Sequence, residues 1–356
     1  MDTERNERIG RREFLLASGV GLAAAGTGSA VAGEQRQDQR GGQRRGRPRA
    51  ARSREEKLKQ IASNSYAVNA LFSRGGRGRT NQWVEKYGTI TLLDFPQFTK
   101  DTYEGVTAMD LWSSLFRDEA GGQTRGGFDP ATASAKKYLD NLVSNMEKTG
   151  VYAKHISNNA PRDLAELDEG RRKEGVRVAK VWLDGGKQIG LRSMRVNTGG
   201  PRILPPSTIQ GGYPRNTEVV PYLKAAIESF KELADYGEKT GVRVTIENHW
   251  GLAANPMNIR IIVNEVNSEF CEASPDFCNW EHEYMLYHGL EALAPLATSM
   301  IHAKRWSRYP EVDIARCVRV LNEANYTGYI SLEYEAGGDP VAGTLKLMED
   351  VVASLQ

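Results

Sequence analysis

Residues 240–251 read TGVRVTIENHWG, and the order of textures in this stretch decides the fold. Upstream, Val219–Thr240 carries Leu223, Ile227, Phe230 and Leu233 on one stripe, the spacing of an amphipathic helix. Gly241 stands where such a helix needs a left-handed residue to stop. Val242–Asn248 then has the β-branched, apolar texture of a strand and ends on the polar Glu247, Asn248 and His249. Helix, glycine stop and a strand ending in charge make one α/β unit.

The unit recurs from about Glu55 to the C-terminus. Strands are expected near Ser63–Ala70, Val106–Phe116, Val151–Ser157, Leu191–Asn197, Val242–Asn248, Cys271–Asp276, Ser299–Lys304 and Tyr329–Glu333. Among the helical patterns, Thr132–Thr149 aligns Tyr138, Leu139, Leu142 and Met146, and Gly150 and Gly190 supply further stops. Repeated strand–helix units without an antiparallel hairpin imply a parallel sheet with crossover helices. Eight units in roughly 300 residues fit a closed barrel. The rival, an open doubly wound sheet, usually carries a Gly-rich nucleotide loop after its first strand, and none is present. The expected fold class is therefore α/β, a (β/α)8 TIM barrel over residues 56–356.

The segment ahead of the barrel has another character. Residues 1–60 hold 14 Lys/Arg and 8 Asp/Glu, a net +6, so the other 296 residues sum to −4. A mildly acidic body does not suit a duplex-binding enzyme, which needs cations to displace counterions. Gly10-Arg-Arg-Glu-Phe-Leu-Leu16, a mild apolar run to about Ala25 and Ala30-Val-Ala32 form a twin-arginine signal peptide over residues 1–32. That run is too short to span a bilayer, and no other stretch approaches a permanent membrane span. Residues 33–55, rich in Arg, Gln and Gly, cannot bury enough surface to offset ordering and read as a disordered linker. The Arg-Gly-rich 75–80 reads as a mobile loop. The expected destination is periplasmic or extracellular, reached through the twin-arginine export machinery. Cys271, Cys278 and Cys317 are an odd number, which excludes a disulfide framework; a Cys271–Cys278 bridge and three small buried thiols are the alternatives.

In a barrel of this kind, the C-terminal strand ends face the active site. The second-half strand ends read VTIENHWG, SPDFCN, MIHAK and ISLEYE. They place Glu247, Asp276, His302 and Glu333 at one level, three hard oxygens and one nitrogen for a single divalent ion. Mn²⁺, Mg²⁺ or Co²⁺ suits that set better than Zn²⁺ in a thiolate site. Glu335 shares the parity of Glu333 and is the alternative fourth ligand. His155 and His249 are candidate substrate contacts from their strand ends. Lys304 is a candidate for an acidic substituent or for pairing with a neighbouring carboxylate. Trp250, Trp306 and Phe277 are either stacking surfaces or apolar rim, Cys278 is a remote candidate ligand, and His282 and His288 read as surface residues on a helix.

From about Ile61 onward the chain resembles the xylose-isomerase-like barrel family, often called sugar phosphate isomerases/epimerases. Glu247 in VTIENHWG, Asp276 in PDFCN, His302 in IHAKRW and Glu333 in YISLEYEAGGDP match the order and approximate spacing of that family's metal ligands. The resemblance also places Arg195 and Asn197 of LRSMRVNTGG, and Arg308 six residues after His302, near substrate. There are two departures. Asn279 stands where epimerase members carry a histidine that reads the substrate, and Asp110 where many members have Glu.

The implied function is a metal-dependent sugar isomerase or epimerase acting through a metal-bound enediolate on a free sugar or derivative, with Glu247 and Glu333 as opposed acid and base. A lyase or hydrolase on keto-sugars or keto-glycosides is the alternative. A non-catalytic sugar-binding barrel would not need two opposed acid/base groups. An abasic-site endonuclease would need more histidines for its zinc cluster than the five present, and no nucleic acid is expected as a partner.

Overall fold

A computed structural model describes residues 52–72, 81–117, 127–201, 213 and 216–356. The signal peptide, most of the linker and the 75–80 loop lie outside the described residues. Structure begins with a short helix α1 (Arg54–Leu58), capped by Ser53, so the folded body reaches slightly into the expected linker.

Eight parallel strands follow: β1 (Ile61–Asn64), β2 (Ala108–Trp112), β3 (Tyr152–Ser157), β4 (Ser193–Arg195), β5 (Arg243–Ile246), β6 (Cys271–Ala273), β7 (Met300–Trp306) and β8 (Tyr329–Glu335). They form one TIM-barrel-like sheet in the order β6-β5-β4-β3-β2-β1-β8-β7, with β1 paired to both β2 and β8. Between β6 and β7 the ladder is reduced to a single parallel bridge, Asp276 to His302, with backbone bonds His302 N–H to Pro275 O and Phe277 N–H to His302 O, each 3.0 Å.

The helices after α1 are α2 (Asn81–Tyr87), α3 (Phe95–Thr102), α4 (Ala133–Thr149), α5 (Glu169–Gln188), α6 (Val220–Thr240), α7 (Pro256–Val266), α8 (Met285–Leu293), α9 (Ile314–Glu323) and α10 (Pro340–Ser354). Their ends follow local chemistry. Thr132, Asp168, Asn255, Asp313 and Asp339 accept first-turn backbone N–H groups at the starts of α4, α5, α7, α9 and α10. The expected helices over Thr132–Thr149 and Val219–Thr240 are α4 and α6, each closed by its glycine, Gly150 and Gly241.

Strand expectations hold for seven strands within a few residues. The first needs correcting: Ser63–Ala70 is not a strand. β1 ends at Asn64, and the apolar residues after it are buried through a turn and a 3-10 helix over Asn69–Leu71. Ala67, Val68 and Leu71 are all buried, so their hydrophobicity reports core contact without a ladder.

Alternation along the strands divides the sheet's two faces. Met109, Leu111, Ile156, Met194, Val244, Ile246, Ile301, Ile330 and Leu332 join the large core shared with the helices. Ala62, Ala108 and Met300 form a separate small apolar cluster. Two residues further along the same strands come Asn64, Asp110 and His302, so the residues sharing that face turn polar towards the C-terminal strand ends.

One backbone crossing near those ends leaves no room for a side chain. Gly251, at φ 67°, would place a Cβ 2.1 Å from Gly199 O, the oxygen that accepts from Leu252 N–H. Gly150, at φ 74°, has open space around it. Gly150→Ala is therefore expected to cost only the left-handed penalty, about 1 kcal/mol. Gly251→Ala adds a backbone displacement and should cost at least about twice as much. Urea unfolding of both variants measures the difference.

Candidate active site

The quartet read from the strand ends comes together. Glu247, Asp276, His302 and Glu333 each offer one donor atom, all within 4.8 Å of one another, and all four are buried. Asp276 owes its placement to its own loop. Its Oδ1 accepts from the backbone N–H of Cys278 at 2.6 Å and of Asn279 at 2.9 Å, while its Oδ2 has no partner. Asn248 ties that loop to the end of β5: its Oδ1 accepts from Asp276 N–H at 2.6 Å and its Nδ2 donates to Asp276 O and Asn279 O. His302 Nδ1 is likewise buried without a partner, 4.0 Å from Glu247 Oε2.

Five buried or half-buried carboxylates surround this point: Asp110, Glu247, Asp276, Glu333 and Glu335. Two permanent cations answer them. Arg195 Nη1 bonds Glu247, its Nη2 reaches Asn159 Oδ1 at 2.8 Å and its Nε donates to Asn158 O at 3.4 Å. Lys304 Nζ lies 2.8 Å from Glu333, 3.3 Å from Glu335 and 3.9 Å from Asp276. The remaining negative excess shows in the titration of each group. Burial, with Glu333 and Glu247 nearby, pushes Asp276 up to about 8 despite Lys304. Glu333 is raised by burial, with Glu335 and Glu247 adding to it. Burial would lower His302, but Glu247, Asp110 and Glu333 outweigh it and lift the imidazole to about 9. Glu247 goes the other way: burial opposes its charge, yet Arg195 and His302 hold it well below the carboxylate range.

These residues fit a divalent cation. Two buried ligand-type atoms lack partners, carboxylates outnumber permanent cations, and the donors are hard oxygens with one imidazole nitrogen. The set contains Glu333 and not Glu335, which lies one pleat further out against Lys304.

Of the quartet, Glu333 lines a cavity of about 330 Å³. Tyr66, Trp112 and Trp306 give it aromatic walls, and Ser157, Asn159 and His249 give it polar ones. Tyr66 and Trp112 meet edge to face, their ring centres 4.8 Å apart. Arg195, Lys304, Glu333 and Glu335 also line it.

The other expected contacts separate into two groups. His249, Arg195 and Lys304 line the cavity, although both cations are bonded to carboxylates. His155, Asn197, Asn279 and Arg308 are not among its lining residues. His155 is fully buried, with Nδ1 2.8 Å from Ser193 Oγ. Asn197 donates to Asn158 O, and Arg308 donates to Glu281 O beside the Trp306 and Tyr309 rings. Asn279 donates to Glu247 Oε1 at 2.7 Å and accepts from Lys304 at 3.2 Å, so its amide links two site residues.

Cys278 donates to Lys304 O, and none of the three buried cysteines is in a disulfide. Phe277 belongs to the core, while Trp250 lies against the Arg162 guanidinium. His288 is exposed on α8, and His282 is exposed in the bend before it. The residues that sequence reasoning missed are Asn64, Tyr66, Ser157 and Ser331, together with the centrality of Asp110. For Asn64, Ser157 and Ser331 the only signal is shared strand parity with the quartet, and Tyr66, in the turn after β1, carries none.

The chain belongs to the xylose isomerase-like TIM barrel family, whose profile matches residues 109–351. Its fold is similar to that of an apo 3-keto-D-glucoside 4-epimerase from E. coli, at 15% identity over 74% of this chain and 94% of that one (TM-score 0.55). It is also similar to an L-ribulose 3-epimerase, at 12% identity over 82% and 92% (TM-score 0.57). A third similar structure is a xylose isomerase-like TIM barrel protein from Mycobacterium smegmatis in complex with magnesium, at 15% identity over 85% and 99% (TM-score 0.54). At these identities the likeness is one of fold. None of the curated proteins matches the sequence.

With Asp276 raised to about 8 and His302 to about 9, both hold protons at pH 7 until a cation replaces them. Divalent-ion uptake at pH 7 should release about one proton or more per ion, and affinity should strengthen as pH rises towards 9. Calorimetry in two buffers of different ionisation enthalpy reads the release; pH-independent binding without proton release would contradict this electrostatic picture.

Proposed function

We propose that this chain is a divalent-metal-dependent sugar isomerase or epimerase that moves a proton at a carbon next to a carbonyl. One observation carries the reading. Glu247, just after β5, and Glu333, on the non-adjacent β8, converge in one buried cluster, and Glu333 lines a cavity with aromatic and hydrogen-bonding walls. Sugar epimerases among the similar folds support it.

Glu247, Asp276, His302 and Glu333 are the residues that would hold the ion, with Mn²⁺, Mg²⁺ or Co²⁺ preferred to Zn²⁺ because three of the four donors are carboxylates. When bound, the ion supplies Lewis acidity that polarises the sugar's carbonyl oxygen and eases loss of the neighbouring proton. Glu247 and Glu333 act as the acid/base pair, one taking the proton and the other returning it, with their roles exchanged in the reverse direction. Arg195 and Asn279 orient Glu247, Lys304 orients Glu333, and Tyr66, Trp112 and Trp306 shield the reacting face from water.

The substrate is an uncharged sugar or sugar derivative. Among the described residues the cations lining the cavity are Arg195 and Lys304, and both are bonded to carboxylates, which leaves no guanidinium or ammonium for a phosphate. Export through the twin-arginine pathway, read from Arg11-Arg12 and the apolar run after it, agrees with a free sugar outside the cytoplasm. No helix among the described residues is long and apolar enough to cross a membrane.

A second reading, elimination from a keto-glycoside, draws on Glu335. This third carboxylate lines the cavity one pleat above Glu333 and could protonate a leaving group.

Glu247→Gln and Glu333→Gln keep an oxygen at each position but remove the proton carrier. Each should slow exchange of the substrate's C–H proton with D₂O by about 10²-fold or more. Proton NMR on a panel of ketoses, aldoses and keto-glycosides measures this and separates isomerised product from a released aglycone. Wild-type exchange rates in both variants would overturn the assignment.

A further inference from the structure

Donors from β1, β3, β7 and β8 converge on one fully buried carboxylate of β2. Asp110 Oδ2 lies 3.1 Å from Asn64 Nδ2, 3.0 Å from Ser157 Oγ, 2.8 Å from Ser331 Oγ and 3.0 Å from His302 Nε2. Its Oδ1 accepts from the backbone N–H of Ser157 at 3.1 Å. Asn64 Nδ2 also donates to Ser331 Oγ at 2.9 Å, and Ser157 Oγ lies 3.3 Å from His302 Nε2. Asp110 and His302 are both 0% exposed.

Asp110, His155 and His302 offer donor atoms within 4.8 Å of one another, which resembles a second metal set. The hydrogen bonding speaks against that use. Oδ2, which already receives four donors, has no lone pair left for an ion, and Oδ1 is bonded to the Ser157 N–H. His155 Nδ1 lies 2.8 Å from Ser193 Oγ and its Nε2 is buried without a hydrogen-bond partner, so only Asp110 speaks against an ion here; the His155 ring stands at 66° to that of His302, the centres 5.7 Å apart.

His302 is thereby held from one side only. Its Nε2 faces Asp110, and its Nδ1, with no protein partner, is turned towards Glu247. We propose that Asp110 is a positioning residue that keeps the proton on Nε2 of His302 and so presents Nδ1 as the nitrogen ligand of the quartet. A carboxylate behind a ligating histidine fixes its tautomer and orientation and makes it a better donor. The role rests on the metal-site reading given above.

Asp110→Asn preserves volume and an acceptor for His302 while removing the charge. Mn²⁺ titration of the full chain followed by EPR should show binding weakened about 10- to 100-fold, with the far-UV circular dichroism of the wild type retained. In Mg²⁺-loaded wild type, long-range ¹H–¹⁵N spectra should show His302 protonated at Nε2, and Asp110→Asn should displace that resonance. Ser331→Ala, which removes one donor to Asp110 and none to the quartet, should weaken Mn²⁺ in the same direction by a few-fold and serves if Asp110→Asn does not fold.

Wild-type Mn²⁺ affinity in Asp110→Asn, or in Ser331→Ala where that variant must serve, overturns the role of Asp110, as does ligation of His302 through Nε2. Failure of the wild-type chain to bind Mn²⁺ at all overturns the metal-site reading instead.

Discussion

Carboxylates buried side by side must be answered by cations, and this constraint organises the centre of the molecule. Isolated ionised groups taken out of water carry a penalty of several kcal/mol each, which only close opposite charges and well-aligned donors offset. Glu247 is answered by Arg195, and Glu333 by Lys304. Asp276 has backbone donors on one oxygen, while the other has no hydrogen bond and only Lys304 at 3.9 Å. Asn248 and Asn279, neither of them charged, hold these groups in place by bonding the loops and side chains that carry them. The negative charge left over is the physical basis for the divalent ion proposed at this point.

The site is graded from the strands outward. The small apolar cluster of Ala62, Ala108 and Met300 lies nearest the strand starts. Asp110 follows with its ring of donors, which shares His302 with the quartet, and Asn64, Ser157 and Glu333 open onto a cavity with aromatic walls. Each level is set by a step of two residues along the strands: Ala108 to Asp110, Met300 to His302 to Lys304, Ser331 to Glu333 to Glu335. A single change of register would move each residue to the opposite face, so the strand pairing that stabilises the sheet also aligns the chemistry.

That dependence explains what was legible in the sequence. The quartet could be read because its members stand where strand texture turns from apolar to polar, Glu247 and Asp276 just beyond β5 and β6, and His302 and Glu333 within β7 and β8. The helix ends at Gly150 and Gly241 could be read because left-handed backbone favours one residue type. The ion pair of Lys304 could not be read as a certainty, since it follows from Lys304 standing opposite Glu333 in the β7–β8 register. Asp110 was visible only as a departure from a family pattern, because the serines and asparagine that supply it are scattered over β1, β3 and β8. The first strand was misplaced for a different reason: Ala67, Val68 and Leu71 are buried by a turn, and hydrophobicity alone does not distinguish a ladder from a lid.

The single bridge between β6 and β7 gives the quartet a mechanical meaning. Everywhere else neighbouring strands share at least two register pairs, whereas here the seam rests on Asp276 and His302 themselves. An ion gripped by these two side chains would act as a rivet across the weakest joint of the wall, tying ligand occupancy to the integrity of the sheet.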